Sequence, residues 1–138
     1  MSRGTTSRMP ALPFEHLAIN VSDPVAVAAW YVEHLGMEIV RRGDPPVYMH
    51  FLADAARRAM IELYTNPAAA TDLYRDLHPA QLHVAFTSAD PDADAARLVA
   101  AGATLVEHLH GADGSHLAML RDPWGLPLQL ARRTAPML

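Results

Sequence analysis

The chain has 138 residues, 51% of them hydrophobic and 19% charged, the size and composition of one ordinary globular domain. Its formal net charge is −4, and no basic stripe is present to neutralise phosphates, which argues against nucleic acid as a partner. Cysteine is absent, so disulfides, thiolate zinc sites and cysteine nucleophiles are excluded together. No apolar run approaches the ~18–20 residues of a membrane span, and the N-terminus lacks the apolar stretch of a signal peptide. A cytoplasmic location without a membrane partner is the expectation. Residues 1–13 are polar or small with two Pro and show no periodicity, so they read as a disordered tail ahead of a single domain over 14–133.

From residue 14 the chain reads twice. Shifted by 67 positions, Phe14-Glu-His-Leu-Ala-Ile-Asn-Val-Ser-Asp-Pro24 falls on Gln81-Leu-His-Val-Ala-Phe-Thr-Ser-Ala-Asp-Pro91, so that His16 meets His83 and Asp23-Pro24 meets Asp90-Pro91. The same shift carries Ile61-Glu62-Leu63 onto Leu128-Gln129-Leu130, and a one-residue slip aligns Leu35-Gly36-Met37 with Ala101-Gly102-Ala103. Such self-similarity marks two copies of one structural unit. Module 1 spans about 14–66, a linker about 67–79, and module 2 about 80–133.

Each unit opens with an alternating strand, near 14–21 and 81–87. Asp-Pro then supplies an N-cap followed by Pro at the first helical position, and the helices run to Gly36 and Gly102, where Gly suits a C-terminal cap. Three short strands follow in each unit, near 37–42, 47–53 and 59–65, then near 103–109, 115–121 and 126–132. Gly43-Asp-Pro-Pro46, Gly111-Ala-Asp-Gly114 and Asp122-Pro-Trp-Gly125 supply the turns. In the linker Thr71–Leu77 reads as a short helix. The result is an α+β fold of two βαβββ modules, each with its helix on one face of four strands and the other face left to curve around a ligand.

Strand parity sorts the side chains between those faces. Leu17, Ile19 and Val21 fall on the helix side of the first strand, leaving Phe14, His16, Ala18 and Asn20 opposite. Ile61 and Leu63 leave Met60, Glu62 and Tyr64 opposite. Leu82, Val84 and Phe86 leave His83 opposite, and Leu126, Leu128 and Leu130 leave Gln129. A lone His or Glu in a strand is usually a solvent-facing residue of a half-exposed sheet. Here His16, Glu62, His83 and Gln129 occupy repeat-related positions on one kind of face, which points to a shared site suited to a divalent metal with nitrogen and oxygen preference.

The segments EHLAINVSDP (with His16), HLGMEIV, IELY (with Glu62), LHVAF (with His83) and DPWGLPLQL resemble the vicinal oxygen chelate superfamily, also called the glyoxalase/bleomycin-resistance/dioxygenase superfamily. The resemblance covers about 14–132. It implies paired modules forming a U-shaped half-barrel cup with helices on the outer face, and metal ligands at His16, Glu62, His83 and Gln129. The last position usually carries Glu in metal-binding members, so Gln129 is a departure that leaves one carboxylate in the set.

The chemistry implied is that of a glyoxalase I-like lyase or isomerase. A divalent Ni, Zn, Co, Mn or Fe ion binds vicinal oxygens of a small substrate, free or as a thiol adduct, and stabilises an enediolate. Glu62 is then both ligand and general base, while Phe14, Met60, Tyr64 and Gln129 contact the substrate. An Fe(II) extradiol-type dioxygenase is an alternative, since two His and one carboxylate match that ligand count. A metal-free drug-binding protein of the bleomycin-resistance type is another, with Phe14, Tyr64 and Trp124 lining the cup. Short members of the superfamily commonly form homodimers, in some of which one cup draws its two modules from different subunits. Of the other histidines, His50 and His116 lie in the third strand of each module within possible reach of the cup. His108 and His110 read as solvated turn residues.

Overall fold

The computed structural model describes residues 9–138; residues 1–8 of the expected N-terminal tail lie outside the described residues, and residues 9–13 form neither helix nor strand. The elements are β1 (His16–Asn20), α1 (Pro24–Leu35), β2 (Glu38–Arg42), β3 (His50–Ala53), β4 (Met60–Tyr64), a 3₁₀ turn (Leu73–Asp76), β5 (Val84–Thr87), α2 (Pro91–Ala100), β6 (Thr104–His110), β7 (His116–Arg121) and β8 (Pro127–Arg132). They build two open four-stranded sheets, ordered β1-β4-β3-β2 and β5-β8-β7-β6. The repeat is therefore structural, and it extends to irregularities. The register slips between Ile39 and Arg41 in β2 and between Leu105 and Glu107 in β6, which places equivalent bulges at Val40 and Val106.

Both helices open as the sequence predicts. Asp23 Oδ1 accepts from the Ala26 amide at 3.0 Å and Asp90 Oδ1 from the Ala93 amide at 3.2 Å, with Pro24 and Pro91 next in the chain. α1 closes on Gly36 in the left-handed conformation (φ 67). Each helix buries an apolar stripe (Val27, Ala28 and Tyr31; Ala95 and Leu98) against Ile19, Leu52 and Leu63 or Ala118, Leu120 and Leu128. The modules meet through α1, the end of α2 and the β7–β8 turn. Trp30 Nε1 donates to the Ala101 carbonyl, the Trp30 and Trp124 rings stand edge to face at 6.4 Å, and Arg97 donates to the His34 carbonyl. Trp124 is thus a packing residue and does not line the cup.

Several strands are shorter than expected. β1 starts at His16 and β5 at Val84, so Phe14 and His83 precede their strands. β3 starts at His50 because a turn occupies 45–47 and Tyr48 takes a positive φ of 47. Asn20 is buried, 7% exposed, rather than open to the cup. Its amide donates to the Asn66, Ala69 and Ala70 carbonyls and its oxygen accepts from the Asn66 amide, so it organises the linker.

Arg121 performs the matching task in module 2, donating to the carbonyls of Tyr74, Leu77 and Gly125. There the chain passes very close to the linker. A Cβ at Gly125 (φ 94) would sit 2.8 Å from Arg75 Cβ and 2.9 Å from Arg75 Cα. Gly125→Ala combines that clash with a disfavoured backbone conformation, and should cost about 2–4 kcal/mol in urea unfolding. A change below 0.5 kcal/mol would mean that the 3₁₀ turn yields freely.

Candidate functional site

Cross-strand register lays out the face opposite each helix. In the first sheet Ala18 pairs with Glu62, Glu62 with Phe51 and Phe51 with Arg41. In the second, Ala85 pairs with Gln129, Gln129 with Met119 and Met119 with Glu107. Paired residues point to the same side of a sheet, so each module presents one polar residue centrally (Glu62, Gln129) and one charge toward the outer strand (Arg41, Glu107). The sequence reading missed Arg41 and Glu107 as face residues. The bulges invert parity along β2 and β6, and no pattern in the sequence marks them.

His16 and Glu62 come together within one chain. His16 Nε2 lies 3.6 Å from Glu62 Oε1, and the Glu62 side chain is only 17% exposed. The opposite ring nitrogen, His16 Nδ1, lies 2.9 Å from Glu15 Oε1, and the ring stands edge-on to Phe51 at 5.2 Å. His83 is held in the same sense, with Nδ1 2.7 Å from the Pro79 carbonyl. A carbonyl only accepts, so His83 Nδ1 carries the hydrogen and Nε2 presents a lone pair. His16 has a carboxylate beside each ring nitrogen, Glu15 at Nδ1 and Glu62 at Nε2. An imidazole with its second nitrogen tied down in this way is the usual form of a metal-ligating histidine.

Within one chain His16, Glu62 and His83 do not close into a group whose ligand atoms all lie within 4.8 Å of one another; among the described residues, the group that does is Asp92, His108 and His116. Gln129 is half-buried in the second sheet, two strands from Glu107 along its row. Of the residues expected to contact substrate, Tyr64 is half-buried at the end of β4, while Phe14 is 65% exposed. Phe14 and Met60 border a cleft of about 720 Å³ between the modules, whose other walls include Leu17, Ile61, Phe86 and Leu130. These are largely helix-side residues, and His16, Glu62, His83 and Gln129 do not line it. This cleft and the polar face are therefore separate features.

The remaining histidines correct the sequence reading. His50 pairs with Leu63 and is 2% exposed. His116 shares parity with the fully buried Ala118 and Leu120. Both face the helices, away from the cup. His108 and His110 are exposed as expected, but they belong to β6 rather than to the turn and pack against His116.

The family model described as the Glyoxalase/Bleomycin resistance protein/Dioxygenase superfamily matches residues 14–130. No curated protein sequence matches the chain. Among solved structures, the antibiotic-binding protein TnmS3 from Streptomyces sp. CB03234 is similar at a TM-score of 0.71 and 20% identity, covering 92% of this chain and 100% of its own. A glyoxalase family protein from Bacillus cereus is similar at 0.70 and 19%, covering 95% and 99%. A lactoylglutathione lyase from Agrobacterium tumefaciens is similar at 0.65 and 20%, covering 90% and 96%.

Proposed function

Because the chain belongs to the Glyoxalase/Bleomycin resistance protein/Dioxygenase superfamily, we propose that it is a metal-dependent lyase or isomerase of that group, acting on a small substrate with vicinal oxygens. The observation that carries this reading is the shared presentation of His16 and His83, each with Nδ1 engaged by an oxygen of a residue shortly before it in the chain. Glu62 stands beside His16 Nε2. Two imidazoles and one carboxylate, with the carboxamide of Gln129, fit a borderline divalent ion and leave it with residual positive charge. When bound, that ion would act as a Lewis acid on a substrate carbonyl. Glu62 would take the proton at its Oε atoms, since it is the one carboxylate of the set, and Gln129 would hold a substrate oxygen by donating from Nε2. Arg41 and Glu107 border the same faces and would sort substrates by charge.

In this reading the functional cup forms between two copies of the chain, with His16 and Glu62 from one and His83 and Gln129 from the other. Three features support it. His83 does not close into one group with His16 and Glu62 within a chain. β1 and β5 each end their sheet as free edges. Leu17 on β1 is 41% exposed although it has core parity, which is the signature of an edge awaiting a neighbour. Among the described residues no helix is long and apolar enough to cross a membrane, and the small molecule is the partner proposed.

The test is metal content and affinity. The wild-type protein purified without chelator should hold one Ni, Zn, Co, Mn or Fe ion per cup, and His16→Ala should weaken that site by at least 100-fold in chelator competition. Cup binding that survives His16→Ala would sink the assignment. A cup that takes none of these ions would favour a metal-free small-molecule binder, a reading suggested by the likeness to the antibiotic-binding protein TnmS3.

A further inference from the structure

We propose that Asp92, His108 and His116 form a second divalent-metal site of the Zn²⁺ type, on the helix-covered face of the second sheet and independent of the cup. His108 Nδ1 lies 3.3 Å from Asp92 Oδ1, His116 Nε2 lies 3.4 Å from the same oxygen, and the two nitrogens are 3.3 Å apart. The three atoms form a nearly equilateral triangle. An ion at ~2.0–2.1 Å from its ligands in tetrahedral geometry separates them by about 3.3–3.4 Å, whereas octahedral geometry brings them to about 2.9 Å. The spacing is the tetrahedral one.

Each ligand comes from a different element. Asp92 is in the first turn of α2, fixed by the Asp90 cap and Pro91. His108 on β6 is cross-strand from Ala118, and His116 on β7 is cross-strand from His110. The side chain of His116 is 11% exposed, and the His110 ring stacks on it at 4.2 Å and 22°, which sets its plane. The two ring nitrogens and the carboxylate oxygen converge on one point, a donor set that a single cation would satisfy at all three atoms. Two imidazoles with one carboxylate favour zinc, cobalt, nickel or copper over magnesium and calcium.

The repeat shows that the fold does not require this cluster. Asp92 falls on Val25 by the 67-residue shift. The pairs His108–Ala118 and Ala118–Leu130 correspond to Arg42–His50 and His50–Leu63, so His108 falls on Arg42. His116, two residues before Ala118, falls on Tyr48. Module 1 keeps the scaffold without the ligands. The site also lies across the sheet from the Ala85, Gln129, Met119 and Glu107 row. Its ion would clamp the first turn of α2 to the β6–β7 hairpin, with water in the fourth position.

The experiment uses the full chain carrying His16→Ala and Glu62→Ala, which removes the cup as a competitor. Metal-free protein is titrated with Zn²⁺ against a chromophoric chelator, and with Co²⁺ while visible absorption is recorded. One Zn²⁺ per chain is expected, together with the intense d–d bands of tetrahedral cobalt and a rise in Tm of roughly 5–10 °C at 100-fold excess over Kd. Adding Asp92→Asn should weaken binding at least 10-fold; Asp92 is 66% exposed, so folding is not at stake. His108→Gln should do the same. No Zn²⁺ binding in the cup-less chain overturns the proposal, and so does binding that both further variants leave unchanged. Either result leaves the cup reading untouched, because that is tested with His16 and Glu62 in place.

Discussion

Asp122→Ala is expected to lower the stability of the chain by about 3–5 kcal/mol, enough to consume much of the margin of an ordinary domain. The carboxylate is 3% exposed and sits where the two modules meet. Its Oδ1 accepts from the amides of Trp124 and Leu126, both at 2.9 Å, and its Oδ2 accepts from the Tyr31 hydroxyl at 2.8 Å. Alanine leaves two backbone donors and a buried hydroxyl without an acceptor. Asparagine keeps the oxygen for the two amides and offers Tyr31 a donor in place of an acceptor, so Asp122→Asn should cost less than half as much.

The two variants also separate charge from hydrogen bonding. Burial raises the Asp122 pKa, and the bonds from Tyr31, Leu126 and Trp124 oppose that only in part. A carboxyl group whose folded value lies above its unfolded one holds its proton longer in the native state. Its contribution is therefore greatest below the unfolded value and declines as pH rises through the folded value. Asp122→Asn lacks that titration, so its deficit relative to the wild-type protein should shrink as pH rises through the same window. Urea unfolding of the three proteins at acidic and neutral pH measures both effects. An alanine variant as stable as the asparagine one would mean that water replaces the lost acceptor and that Tyr31 does not tie the modules together.

Legibility in the sequence followed the range of the forces involved. The Asp-Pro caps, the C-terminal glycines and the 67-residue repeat are local signals, and the two modules emerge from them with nearly correct elements. Core parity in β4 and β8 was equally plain, because alternation of apolar and polar residues is itself the signal. Parity failed where a bulge intervened. Arg41 and Glu107 were invisible as face residues until the slips in β2 and β6 were located. Asn20 misled for another reason: its position in β1 predicts an open face, yet the linker folds over it and takes all its hydrogen bonds. The Asp92, His108 and His116 cluster was the least accessible. It depends on the first turn of a helix descending onto two strands later in the chain, and no spacing along the sequence encodes that approach. Of the cup, the sequence offered candidate residues on each module, while how two half-sites meet depends on contacts between modules or between copies.

Mixing two inactive proteins is expected to restore activity if the cup is shared between subunits. Glu62→Ala removes the carboxylate from module 1 and should abolish cup function, and His83→Ala should do so from module 2. In a heterodimer of the two, one cup inherits both lesions. The other combines an intact His16 and Glu62 with an intact His83 and Gln129. Random reassortment of the subunits places half of them in heterodimers, and one cup in two is whole there, so about a quarter of the wild-type sites should reappear. The readouts are metal bound per subunit at the cup and turnover of a vicinal-oxygen substrate, each measured after co-refolding and compared with the unmixed variants. Asp92→Asn placed in both partners keeps the second metal site from contributing to the count. A cup closed within one chain gives no recovery at any mixing ratio, because each chain then carries its own defect. The free edges of β1 and β5, the exposed Leu17 and the separation of His83 from His16 and Glu62 all point to the recovered quarter.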